Sequence, residues 1–165
     1  MLAPQAVVAQ NENSRRSMWN AVFSNHETAP VLQKPDPTNW DSTTITATWL
    51  GHATVLINFF GTTIITDPVL ASRVGINVVG LFTVGPKRLV EPALRFKELP
   101  RIDLILLSHG HMDHLDLPTL AKFDRRIPLI MARHTADIVD GLSFRSVQEL
   151  DWGEKLTGSG VEIEA

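Results

Sequence analysis

From Thr43 the chain settles into a regular alternation of apolar and small polar residues. Thr44-Ile-Thr-Ala-Thr-Trp-Leu50 repeats with a period of two, as a half-buried strand requires. Ala53-Thr-Val-Leu-Ile-Asn-Phe-Phe60 and Thr62-Thr-Ile-Ile-Thr66 flank Gly61, which predicts a β-hairpin ending at Asp67-Pro68. The stretch 68–101 carries Gly75, Gly80, Gly85, Pro86, Pro92 and Pro100 and no sustained period. It reads as a long loop, a feature that in a domain is usually functional or poorly ordered. Ile102-Asp-Leu-Ile-Leu-Leu107 is almost continuously apolar, the pattern of a strand covered on both faces. Asp116 can then cap a helix over 117–123, with Pro118 tolerated in its first turn. Residues 128–132 predict another strand, 135–140 a short helix closed by Gly141, and 147–165 a hairpin turning at Gly158-Ser-Gly160. A meander of strands followed by strands alternating with helices predicts a layered α/β (α+β) fold, with helices packed on a mixed β-sheet.

Residues 1–42 lack this patterning. They hold a polar stretch from Asn11 to Arg16, and Pro30, Pro35 and Pro37 among Asp36, Thr38, Asn39 and Asp41. Proline fixes φ and removes a donor, so 1–42 reads as a partly disordered N-terminal arm or linker, with a short helix near 17–23. The folded domain is expected over 43–165. The first nine residues lack the basic start of a signal peptide and are broken by Pro4 and Gln5. No apolar run nears the roughly 20 residues of a membrane span, so no transmembrane segment and a cytoplasmic location are expected. Fifteen basic against eighteen acidic residues give a net charge of −3, which argues against a nucleic-acid partner.

The absence of cysteine narrows the chemistry. It excludes disulfides, thiolate catalysis, cysteine-ligated zinc and iron–sulfur clusters, so any metal site of the hydrolytic kind must use His, Asp and Glu. His109, His111, Asp113 and His114 lie within six residues, directly after the buried strand. In extended backbone, residues two apart share a side, so His109 and His111 can grip one ion. Asp113 and His114, beyond the bend at Gly110, can face a second position. Imidazole nitrogen with carboxylate oxygen suits Zn2+, and also Mn2+ or Fe2+. Four adjacent ionisable groups are costly to bury without a charge to face.

The run Ser108-His-Gly-His-Met-Asp-His114 after an apolar strand resembles the signature of the metallo-β-lactamase superfamily. Thr48-Trp-Leu-Gly-His-Ala-Thr54, Thr66-Asp-Pro68, Gly85-Pro-Lys-Arg88, Leu99-Pro100, Ile102-Asp103 and His114-Leu-Asp116 resemble one branch of it. That branch contains the N-acyl-phosphatidylethanolamine-hydrolysing phospholipase D type and, more distantly, the ascorbate-6-phosphate lactonase type. The resemblance spans roughly 43–165. It implies the N-terminal half of an αββα sandwich and a hydrolase that uses two zinc ions. It implies a metal-activated water acting on an ester, phosphodiester or lactone of a small-molecule or lipid-like substrate. His109 and His111 would bind the first metal and Asp113 and His114 the second, with Asp113 also handling a proton of the nucleophilic water. Asp67 would support the histidine loop. His52 reads as packing or pocket lining. His26 and His134 read as solvated. Lys87 and Arg88 read as an anion site for a substrate phosphate or as an ordinary exposed pair, and the apolar stretch 76–84 as core or as an acyl-chain entry.

The resemblance is incomplete. Such a centre also needs a third His on the first metal, a bridging Asp and a further His on the second, and no histidine follows His134. The strand pattern of 161–165 runs to the last residue. Both features make the chain read as the front part of a longer enzyme, inactive when isolated and prone to aggregate through an uncovered sheet. An inactive metal-binding remnant is the alternative reading. The amidohydrolase class also places His-x-His at a strand end, but there it opens a barrel of β-α units, whereas here a β-meander comes first.

Overall fold

The computed structural model describes residues 26–78 and 82–165. Strands form where the alternation predicts them: β1 (Ile45–Gly51), β2 (Thr54–Phe59) and β3 (Thr62–Thr66) make an antiparallel meander. Within the long 68–101 segment the structure has a small hairpin of β4 (Ile76–Val78) and β5 (Phe82–Val84). Three-residue strands are too short to register as a period. At the neck of this hairpin Gly75 (φ +157°) and Gly85 pass back to back, leaving no room for a Cβ on either.

The chain then builds β6 (Leu104–Leu107), the one-turn helix α1 (Leu117–Leu120), β7 (Leu129–Ala132), a 3-10 turn over Ala136–Leu142 and β8 (Val147–Leu150). Strands β3, β6, β7 and β8 run parallel, and the six-stranded sheet has the order β1-β2-β3-β6-β7-β8. This is the mixed sheet expected. Three local expectations change: the helix expected over 117–123 is the single turn Leu117–Leu120. The 135–140 helix is instead the 3-10 turn, which incorporates Gly141 and is closed by Ser143 in the left-handed region (φ +56°). The terminal hairpin is confined to β9 (Lys155–Gly158) and β10 (Val161–Glu164), while β8 joins the main sheet beside β7. The short helix expected near 17–23 lies outside the described residues.

The two faces of the sheet carry separate cores. One packs Leu56, Ile65, Ile105, Leu107, Leu129 and Met131 against Leu115, Leu120, Phe123 and Val139 from the segments after β6 and β7. The other packs Ile64, Leu104 and Ile130 against Val161, Leu156 and Ile163 of the β9–β10 hairpin. Leu104, Ile105 and Leu129 are wholly inaccessible, each contributing roughly 1.5–3 kcal/mol of burial free energy. The continuous apolar run of β6 is therefore explained: it is the strand with a core on both sides. From the proline-rich segment, Val31 and Trp40 pack against the first core. At the β1–β2 edge the second face is uncovered, with Ile45, Trp49 and Phe59 exposed on one side of the hairpin.

Candidate functional site

β6 delivers the chain into Ser108 and the histidine loop at the carboxyl end of the parallel strands, where open α/β sheets bind their ligands. Gly110 makes the bend. A Cβ there would lie 2.8 Å from Ile138 Cδ1 and 3.3 Å from Thr135 Cγ2, so the loop presses directly on the 3-10 turn. After the bend, His114 and Leu115 both donate backbone N–H bonds to the carbonyl of His111 (2.9 and 2.7 Å). That closed turn buries Leu115 and brings Asp113 and His114 back over the strand end.

Donor atoms of His109, His111 and Asp113 all lie within 4.8 Å of one another. His109 Nε2 and His111 Nδ1 are 3.1 Å apart. Two nitrogens bound tetrahedrally to one ion at zinc-like bond lengths sit about 3.3 Å apart, so this pair needs little movement to share a cation. Asp113 Oδ2 is also 3.8 Å from His114 Nε2, so its carboxylate reaches towards both expected positions. Burial pushes the Asp113 carboxyl up, but its own backbone N–H and the His114 and His52 imidazoles outweigh this and hold it below the ordinary carboxylate value.

Asp67 sets the tautomers. Its Oδ1 accepts from Ser108 N–H (2.7 Å), and its Oδ2 accepts from Ser108 Oγ (2.7 Å) and His114 Nδ1 (2.8 Å). A carboxylate only accepts, so the proton of His114 is on Nδ1 and its Nε2 lone pair is left for an ion. Ser108 Oγ, having donated to Asp67, can accept from His109 Nδ1 (2.9 Å), which frees His109 Nε2 in the same way. Asp67 itself is fixed from behind: Thr54 Oγ1 donates to its carbonyl (2.8 Å) and accepts from Val69 N–H (2.9 Å). The expected support of the histidine loop by Asp67 is thus present in detail.

Asp116 departs from its expected role. Its carbonyl opens α1, but its side chain makes no cap bond to the helix backbone and instead accepts from Thr119 Oγ1 (2.5 Å). Burial raises the Asp116 carboxyl above its ordinary value, against the lowering pull of Thr119, the Ala71 N–H, Lys122 and Arg88. The basic pair resolves into neither of its two readings. The Arg88 guanidinium is buried and donates to the carbonyls of Ala71 (3.0 Å, from Nε) and Val69, while Lys87 Nζ donates to the carbonyl of His26 (2.6 Å). Arg88 thus ties the two ends of the long 68–101 loop to each other, and Lys87 ties that loop to the segment at His26. His26, expected to be solvated, is half-buried with Nε2 3.2 Å from the carbonyl of Arg88, whereas His134 is exposed.

His52 comes closer to the site than its sequence reading implied. Its Nε2 is 3.6 Å from Asp113 Oδ2, and its ring centroid is 6.2 Å from that of His114. The signal was the histidine at a hairpin tip, but which residue it faces depends on the distant loop. Trp49, Met112 and Ile138 are exposed around the site. A cavity of about 1040 Å³ lies at the opposite end of the sheet, lined by Thr62, Asp103, Lys122 and Arg126, and holds none of the expected ligands. Among the described residues, no helix is long and apolar enough to cross a membrane.

This geometry can be set beside known proteins. The N-acyl-phosphatidylethanolamine-hydrolyzing phospholipase D 1 of Caenorhabditis elegans is 36% identical over 118 residues, covering 66% of this chain and 32% of the relative. A possible metal-dependent hydrolase from Veillonella parvula shares the fold, with a TM-score of 0.58 at 21% identity over 73% of this chain and 46% of that one. The diiron β-hydroxylase CmlA of Streptomyces venezuelae aligns with a TM-score of 0.50 at 27% identity, over 72% of this chain and 22% of that one. The chain spans less than half the length of the curated relatives it matches. The family model of a beta-lactamase superfamily domain matches residues 62–165, from the start of β3 through the histidine loop to the last residue. On that match, and with the mixed sheet found in its structural neighbours, the chain belongs to the β-lactamase superfamily and has the metallo-β-lactamase fold.

Proposed function

We propose that this chain carries the metal-binding segment of a zinc-dependent hydrolase that cleaves an ester, phosphodiester or lactone bond. The observation that carries the reading is the convergence of His109, His111 and Asp113 donor atoms within 4.8 Å at the end of the central strand. As the resemblance implies, His109 and His111 would hold one ion and Asp113 and His114 a second, with Asp113 near enough to both to lie between them. A bound divalent ion supplies a water of lowered pKa and polarises the scissile group. Asp113 Oδ2 is the atom assigned to take a proton from the attacking water. Asp67 and Ser108 keep the histidine lone pairs turned towards the ions. Exposed Trp49, Met112 and Ile138 suit a substrate with an apolar portion, in keeping with the lipid named for the Caenorhabditis relative. A cytoplasmic location is part of the same proposal.

The test is metal analysis of the full chain after dialysis against Zn2+, beside the double substitution His109→Ala, His111→Ala. Retained zinc that the double substitution loses is expected; equal zinc in both refutes the site. In the full-length enzyme, hydrolysis of phosphodiester, lactone and ester panels should be abolished by chelator, and chelator-insensitive turnover refutes the metal mechanism. A second reading follows from the similarity to the diiron hydroxylase, since the same donor types accept iron. Loading with Fe2+ under anaerobic conditions separates the two: preferential retention of iron over zinc favours it.

A further inference from the structure

The β1–β2 connection is a two-residue loop, His52-Ala53, between the paired residues Gly51 and Thr54. Loops of this kind need positive φ at their first central residue, a place normally given to Gly, Asn or Asp. Here His52 occupies it at φ +54°, next to Gly51 at φ +108°. A non-glycine residue in that region carries a cost, smaller for histidine than for most, and such positions concentrate at functional sites.

The surroundings hold this conformation. The β1–β2 register shifts between Trp49 and Gly51, so Leu50 has no partner on β2. Its carbonyl is taken instead by the N–H of Ala93 (2.9 Å), and its side chain is fully buried. A bulge of this kind re-aims the side chains beyond it. Trp49 then folds its indole over the loop and donates Nε1–H to the carbonyl of His52 (2.7 Å). The imidazole is left over the histidine loop with Nε2 3.6 Å from Asp113 Oδ2, beyond hydrogen-bond length but within charge-contact reach. The same oxygen is 3.8 Å from His114 Nε2, so one carboxylate oxygen is flanked by two imidazoles. Site contacts of this type run long in ligand-free structures.

From this arrangement we infer that His52 is a positioning residue, whose Nε2–H orients the Asp113 carboxylate for the ion. The inference rests on the assignment of Asp113 as a ligand. It gives a histidine held at the turn in the left-handed region a task that packing does not, since its side chain is substantially exposed.

The test is His52→Gly and His52→Gln in the full chain, titrated with Co2+ against a competing chelator and followed by visible absorption. Glycine suits the loop better than histidine, so the thermal midpoint of His52→Gly should hold or rise. Its Co2+ affinity should nevertheless fall 10–100-fold, the usual loss when a ligand's hydrogen-bonding partner is removed. Glutamine restores an N–H at similar reach and should stay within about threefold of the parent, on the ground that it can make the same hydrogen bond. The inference is overturned if His52→Gly binds as the parent does, if glutamine fares as badly as glycine, or if affinity and thermal midpoint fall together. A parent chain that binds no Co2+ refutes the metal assignment and this inference with it. Parent binding with an unaffected His52→Gly refutes this inference alone.

Discussion

Asp67→Asn is the sharpest probe of how the site is organised, because it changes one atom and almost no volume. The carboxylate takes one bond on Oδ1, from Ser108 N–H, and two on Oδ2, from Ser108 Oγ and His114 Nδ1. An amide has a single acceptor oxygen for these three donors. If that oxygen faces Ser108 N–H, the amide NH2 faces His114 and forces its Nδ1 to accept. The imidazole proton then moves to Nε2, the nitrogen that must stay free for an ion. If the amide turns the other way, its NH2 opposes the Ser108 N–H and leaves that donor unpaired, at about 1–3 kcal/mol. The first arrangement costs little in the metal-free fold and falls on metal affinity. A loss of 10–100-fold is expected, equivalent to about 1.4–2.7 kcal/mol. Asp67→Ala, which removes the acceptor for all three donors, should by contrast lose about 1–3 kcal/mol of folding stability. Co2+ titration gives the affinity, denaturant melts of the metal-free chain give the stability, and 15N imidazole NMR gives the His114 tautomer. An Asp67→Asn chain that keeps the Nδ1 proton on His114 and binds Co2+ like the parent would refute the tautomer argument.

Three further outcomes test the supports around the site. Arg88→Met keeps the apolar stem but drops both guanidinium bonds to the carbonyls of Ala71 and Val69; it should cost about 2–4 kcal/mol, and an unchanged urea midpoint would show that the clamp is idle. Gly110→Ala puts a methyl 2.8 Å from Ile138 Cδ1, the end of an exposed side chain that can turn aside, and should cost less than about 1 kcal/mol, with Gly110→Ala, Ile138→Ala recovering most of it in a double-mutant cycle. Absence of coupling in that cycle would mean the loop does not lean on the 3-10 turn. Glu149 Oε1 accepts from the N–H groups of Ala136 (2.7 Å) and Thr135 (2.8 Å), and these bonds hold its carboxyl below the usual value of 4.5. With the folded value lower than the unfolded one, its stabilisation is complete above 4.5 and is lost as pH falls through the lowered value. Glu149→Gln keeps an acceptor oxygen but cannot titrate, so its urea midpoint should fall less than the parent's below pH 4.5; parallel curves would refute the assignment.

The elements whose information is local were open to inspection in the residue order. The β2–β3 hairpin follows from alternation on either side of Gly61, β6 from a run without polar interruption, and the ligand cluster from its own spacing. Each depends on residues a few positions apart, where backbone geometry alone dictates who shares a side. The apolar run of β6 even announced the two cores, since no strand with one wet face would keep it. What folding settled were contacts between segments far apart in the chain. Arg88 read as a surface cation, yet it is buried because its guanidinium finds carbonyls at 69 and 71, from a loop whose path no local pattern specifies. Asp116 read as a helix cap and turns instead to Thr119, because the helix packs where that hydroxyl also receives the N–H of Leu70. His52 shows the difference most plainly. Its place at a turn was local, but its approach to Asp113 needs a bulge held by Ala93, an indole folded from Trp49 and a loop 60 residues downstream, and only packing brings those together.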